Sequence, residues 1–224
     1  RAELATRTSG IVLFGASRIV EHTAHDQLAA GLALTEHAGP AARIMPRHRG
    51  TPAKDWLMPD AIKAIPFLPS IAIAYAQGYR RMLIDPLYSK GEVLEGYADV
   101  LFLGATYGHD VANIALQLIA RGGRKEAEVM HQIVAVLGVL QVPGKKSEVL
   151  VSDLFIRGNA SDSGTTYEQF EAFLRANRVV RWEDELAALL DSGAVTVAAV
   201  KKEERRNHDV LEFLAKRRVQ SKAS

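Results

Sequence analysis

Gly10-Ile11-Val12-Leu13-Phe14-Gly15-Ala16-Ser17 admits two readings, and the fold turns on which one holds. In the first, the stretch opens a long helix. Leu13, Ala16, Val20, Ala24, Leu28, Gly31 and Leu34 recur at spacings of three or four. That is one narrow stripe of an α-helix, with small residues that allow close packing. Gly39-Pro40 ends the pattern. In the second reading, residues 10–17 form a strand that feeds a helix, as in a nucleotide-binding α/β unit. The fingerprint G-x-G-x-x-G is absent there, and we follow the helical reading. The expectation is a mainly α protein, a multi-helix globular domain with a smaller C-terminal helical module. An α/β fold with a parallel sheet is the alternative.

Downstream, residues 40–69 carry Pro40, Pro46, Pro52, Pro59, Pro66 and Pro69. Proline inside a helix loses a hydrogen bond and clashes with the preceding turn, so this stretch is expected to be extended or turn-like. Arg43, Arg47, Arg49 and Lys54 lie in it without an intervening acid. Ser70 fits an N-cap for a helix over residues 71–84, which stops before Pro86. Ser89-Lys90-Gly91-Glu92 has the form of a capping box and predicts a helix over residues 93–107. Gly108 breaks that helix. Residues 110–120 put Val111, Ile114, Ala115 and Leu118 on one face, and Arg121-Gly122-Gly123 terminates them. A helix over 124–141 is expected to end before Pro143-Gly144. Residues 147–157 fit either helix or strand.

Gly158-Asn159-Ala160-Ser161-Asp162-Ser163-Gly164 combines turn residues with an absence of large apolar groups, which marks a boundary. We expect a main domain over 1–157 and a C-terminal helical module or arm over 165–224. Thr165-Thr166-Tyr167-Glu168 caps the first of two short amphipathic helices, 167–176 and 182–190. Residues 195–200 fit a strand or the start of a final helix.

Charge is distributed unevenly. The chain is +2 overall, yet residues 201–224 hold eight Lys/Arg against four Asp/Glu, while residues 162–191 hold seven acids against three bases. Such asymmetry points to a polyanion or an acidic partner. With Arg43, Arg47, Arg49, Lys54, Arg80, Arg81, Arg121, Arg124 and Lys125, the basic groups are candidates for a groove that tracks a phosphate backbone. Tyr79 and Tyr88 are placed to stack on bases.

Other chemistry has less support. His22 and His25 share a helix face beside Glu21 and Asp26, but no H-E-x-x-H pattern is present, and we assign no metal site. His109-Asp110 follows Gly108 at a helix start, where an Asp stabilises the dipole. Gly104-Ala105-Thr106-Tyr107-Gly108 lacks the Lys-Ser/Thr ending of a phosphate loop and is taken as a joint between helices. The 224 residues contain no cysteine, which excludes disulfides and thiol catalysis. No apolar run reaches the roughly 20 residues that span a bilayer. A cytoplasmic location is expected, with no signal peptide and no cofactor.

The function expected from these features is a nucleic-acid-binding structural or assembly protein, nucleocapsid- or coat-like. It would bind RNA or DNA electrostatically and without sequence preference, and form a homo-oligomer. The alternatives are a small His/Asp-dependent metal hydrolase and a helical interaction subunit of a larger complex.

Overall fold

The computed structural model describes residues 9–16, 41–44, 67–68, 70–84, 97, 99–120, 126–158, 164–205 and 207–223. Ile11, Val12, Leu13 and Phe14 are all buried, at 0 to 7% exposure, although successive residues of a strand point to opposite faces. Burial on both faces is the signature of a central parallel strand, whose sequence is a continuous apolar run. This segment is strand β1, Gly10–Ala16. It pairs in parallel with β5, Leu101–Tyr107, on one side and with β6, Ile133–Pro143, on the other.

Among the described residues the sheet has eight strands in the order β3-β2-β4-β5-β1-β6-β7-β8. The others are β2 (Ala41–Ile44), β3 (Phe67–Leu68), β4 (Arg81–Ile84), β7 (Glu148–Ile156) and β8 (Arg178–Val180). Pairing is parallel from β3 through β6 and antiparallel for β6–β7 and β7–β8. The helices are α1 (Ile71–Ala76), α2 (Val111–Ile119), α3 (Glu126–Gln132), α4 (Tyr167–Ala176), α5 (Trp182–Asp191), α6 (Val197–Glu203) and α7 (His208–Ala223).

The mainly α expectation is therefore overturned, and the α/β alternative describes the chain. The helices expected over 11–34, 93–107 and 124–141 are replaced, where described, by β1, β5 and the α3–β6 pair. The physical reason is common to all three. A strand buried on both faces has no period of two, so a short apolar run matches a helical stripe equally well. The expected capping box at Ser89 lies outside the described residues, and the one expected over residues 165–168 is shifted by one residue. Ser70 accepts from the Ile73 N–H and caps α1, which is only six residues long before the chain turns at Gly78 into β4. Thr166 and Gln169 form a reciprocal capping box at the start of α4.

One face of the sheet carries two apolar clusters. In the first, Ile11, Leu13, Met82, Phe102, Val136 and Phe155 meet Ile114, Ala115 and Leu118 of α2 and Phe170 and Leu174 of α4. In the second, Leu140, Val142 and Val151 meet Trp182 and Leu186 of α5, Val200 of α6, and Val210 and Leu214 of α7. Each fully buried large side chain contributes about 1.5–3 kcal/mol. The segment after residue 164 thus supplies both a strand to the sheet and a helical layer on it.

Gly138 of β6 lies opposite Asp153 of β7, between the two clusters. A Cβ on Gly138 would collide with the backbone carbonyl of His109. The neighbour is backbone, held by strand β5 and helix α2, and cannot swing aside. Gly138→Ala is expected to cost at least about 2 kcal/mol, in the upper part of the range for overpacked cores. Urea unfolding of the full chain measures it.

Candidate functional site

In an open α/β sheet, ligand-binding groups collect at the carboxyl ends of the parallel strands. Here that edge is crossed by the turn Gly108-His109-Asp110, which links β5 to α2. Gly108 has φ 127°, a conformation that glycine adopts without strain. A Cβ on Gly15 of β1 would come within 2.6 Å of the Gly108 carbonyl oxygen. Glycines at 15 and 138 therefore let the turn lie directly over β1 and β6.

The turn opens a polar cluster. Asp110 caps α2 by accepting from the Asn113 N–H at 2.9 Å, and its other oxygen accepts from Arg175 of α4 at 2.8 Å. Asp153, fully buried on β7, accepts from the Val111 N–H at 2.8 Å and from the Trp182 N–H at 3.4 Å. One carboxylate thus serves the first residues of both α2 and α5. Arg178 of β8 lies 3.3 Å from Asp153 and makes a fork with Glu183 at 2.9 to 3.2 Å. His109 is 5% exposed. Its ring stands edge-to-face with Trp182, centroids 5.1 Å apart, and its Nδ1 lies 3.1 Å from Asn207 Nδ2. His109 Nε2 and Trp182 Nε1 are buried without a hydrogen-bond partner among the described residues.

Burial pushes the Asp153 carboxyl up to about 6, against the opposing pull of the Val111 N–H and Arg178. Burial holds His109 below the ordinary histidine value, although Asp110, Asp209 and Glu183 attract a proton to it. Beside these groups opens a cleft of about 300 Å³ lined by Asp110, Arg175, Trp182, Glu183, Asp209, Glu212, Phe213 and Lys216. Among the described residues, no three His, Asp or Glu side chains are grouped so as to hold a metal ion.

Of the basic residues singled out in the sequence, only Arg43, Arg80 and Arg81 fall among the described residues. Arg47, Arg49, Lys54, Arg121, Arg124 and Lys125 lie outside the described residues, as do His22, His25 and Tyr88, and Arg43 sits on β2. Arg80 pairs with Asp99 at 2.7 Å and stacks on the Tyr75 ring at 3.8 Å. Arg81 is 6% exposed within β4. His109-Asp110 was recognised as a helix start, and Asp110 does cap α2. Asp153, Arg178, Glu183 and Asn207 were missed. For Asp153 a signal existed: on an alternating strand, Val149, Val151, Asp153 and Phe155 share a face, so a carboxylate stands at an apolar position.

With this geometry the chain is similar to the pilus retraction motor PilT with bound ADP, at a TM-score of 0.63 and 11% identity over 89% of this chain and 62% of that one. It is similar also to the ATPase DotB of Yersinia pseudotuberculosis, at a TM-score of 0.62 and 11% identity over 90% of this chain and 60% of that one. At such identity the likeness is one of fold, and the chain spans about 60% of the length of either structure. No family model and no curated protein matches. The nucleocapsid- or coat-like reading is corrected accordingly: the fold is similar to those of PilT and DotB, and the described Arg80 and Arg81 are engaged within the chain. The comparisons lend no support to an RNA or DNA partner or to a homo-oligomer. Among the described residues, no helix is long and apolar enough to cross a membrane.

The Asp153 shift fixes a sign. The folded state binds this proton more tightly than an unfolded chain with a carboxyl at 3.8, so stability from this group is full at low pH and is lost as pH rises through about 6. Relative to Asp153→Asn, the wild type is expected to gain on the order of 3 kcal/mol between pH 7.5 and pH 4. Paired urea titrations across that range check it, and a flat difference refutes the shift.

Proposed function

We propose that this chain is an ATPase-fold subunit of a pilus-motor-like apparatus that does not itself hydrolyse nucleotide. The observation that carries the reading is the sequence that follows β1. In a phosphate-binding loop, G-x-x-x-x-G-K-[ST], backbone N–H groups cradle the phosphates and the Lys reaches the β- and γ-phosphates. Here Gly15 leads into Ala16-Ser17-Arg18-Ile19-Val20-Glu21-His22. Val20 stands where the second glycine belongs, and Glu21 where the Lys belongs. A carboxylate at that point adds negative charge beside a triphosphate instead of neutralising it. No G-K-[ST] triplet occurs anywhere in the chain. The fold supports an origin among nucleotide-driven motors, and the loop supports a role that is structural within such an assembly.

A second reading, nucleotide held without turnover, is favoured by Asp85. It follows the apolar residues Met82-Leu83-Ile84 of β4, the position from which an acid holds Mg²⁺ in P-loop enzymes. Two assays separate the readings. Phosphate release from ATP with Mg²⁺ is expected to stay at the buffer background, and a fluorescent ATP analogue is expected to show no saturable binding. Saturable, Mg²⁺-dependent binding that is lost in Asp85→Asn supports the second reading. Saturable phosphate release overturns both.

A further inference from the structure

Asn207 fixes which nitrogen of His109 carries the proton. Its Nδ2 lies 3.1 Å from Glu204 Oε2 and 3.1 Å from His109 Nδ1, while its Oδ1 accepts from the Val210 N–H at 3.4 Å. Turning the amide over would set oxygen against the Glu204 carboxylate and N–H against N–H at Val210. The network therefore admits one orientation. Nδ2 is a donor towards the imidazole, so Nδ1 of His109 accepts and the ring proton sits on Nε2. A second proton has only Nδ1 to occupy, and there it meets the N–H of Asn207 head-on.

This contact joins two parts of the molecule. His109 belongs to the turn over the carboxyl ends of β1 and β6. Asn207 is the residue before α7, and Glu204 follows α6. Other bonds of this layer among the described residues lie near the surface: Asn113 donates to Asp209 at 3.2 Å, and Arg217 pairs with Asp191. Beneath them lie Val200, Val210 and Leu214, and Phe213 stands edge-to-face with Trp182 at 5.4 Å.

We propose that His109 and Asn207 form a proton-operated latch: neutral His109 holds α6 and α7 against the carboxyl edge of the sheet, and protonation at Nδ1 loosens them. The charged groups around His109 come from every element packed there. Asp110 lies on its own turn, Glu183 on α5 and Asp209 on α7, and Glu204 reaches it through the Asn207 amide. Asp153, Arg178 and Arg175 complete the cluster. The carboxylates draw a proton towards the ring, while the enclosed site and the Asn207 N–H oppose it. Burial prevails and holds the ring neutral above the ordinary histidine range. The opening constant of the latch rises as pH falls below about 6.5, because the ring released to solvent takes a proton there and the buried ring resists it. Asp153 touches neither α6 nor α7, and its own titration stabilises the fold over the same fall in pH. The two titrations therefore oppose each other in global stability, and the latch is read from local opening at α7 rather than from global unfolding.

The test is native-state hydrogen exchange on the full chain between pH 7.5 and 5, corrected for the intrinsic rate. The opening constant of amides 208–214 is expected to rise by up to tenfold per pH unit below 6.5, while amides of β6 and β7 show no such rise. In His109→Asn the side-chain oxygen replaces Nδ1 as acceptor and takes no proton, so the rise is expected to vanish. In His208→Gln, which removes the exposed imidazole beside Glu212, it is expected to persist. An unchanged slope in His109→Asn overturns the proposal. A nitrogen NMR spectrum of the wild type at pH 7.5 that places the His109 proton on Nδ1 also overturns it, whether or not the variant folds.

Discussion

A single buried carboxylate accepts the first backbone N–H groups of two helices, and the packing of this protein is arranged around it. The N-termini of α2 and α5 each bring unpaired donors and the positive end of a helix dipole into the interior. Asp153 meets both, with one oxygen on Val111 and the other on Trp182. An asparagine there offers one acceptor, and an aliphatic residue offers none. Removing a charge from water is costly, which is why this carboxyl holds its proton to unusually high pH. Arg178 offsets part of that cost and is itself steadied by Glu183. The N-termini of α2 and α5 are held to the sheet at this one point, and their apolar faces set their directions.

The carboxylate also explains why the core is divided. Asp153 and Gly138 face each other across β7 and β6, and the His109 backbone fills the space above the glycine. On one side of this polar seam, α2 and α4 cover the parallel strands. On the other, α5, α6 and α7 cover the antiparallel hairpin. The seam reaches the surface at the edge where β1 ends. The end of β1 is thus close to the C-terminal helical layer, through the turn that carries His109 and Asp110.

Much of this was legible locally and little of it globally. Helix starts that rest on one side chain and a nearby N–H could be found by inspection, as at Ser70 and Asp110 and within one residue at Thr166, because both partners lie within three residues. Helices 167–176 and 182–190 were placed within a residue of α4 and α5, since exposed helices keep one apolar face. The central strands were not legible. Ile11–Phe14 and Leu101–Leu103 are apolar at every position because both faces are covered, and periodicity then carries no information. The site was legible only at His109-Asp110. Asp153 and Arg178 are 25 residues apart, and His109 and Asn207 are 98 apart. Contacts at such separation exist only once the sheet order is known.

The charge asymmetry that pointed to an external polyanion has a different resolution. The acidic stretch before residue 191 and the basic end of the chain belong to one helical layer. Arg217 of α7 pairs with Asp191 at the end of α5, and Lys216 pairs with Glu212 on its own helix. Lys201 and Lys202 occupy the last turn of α6, where cations favour the helix dipole. Segment charges of opposite sign are what two elements need in order to dock on each other, and they look like a partner-binding signal only while the segments are considered apart. The same holds for Arg175 and Arg178, whose charges are answered by Asp110, Glu171, Asp153 and Glu183 rather than by a ligand. A cluster of basic residues identifies a polyanion site only when the fold leaves those charges without carboxylates of their own. For Arg80, Arg175, Arg178, Lys216 and Arg217 the fold supplies them.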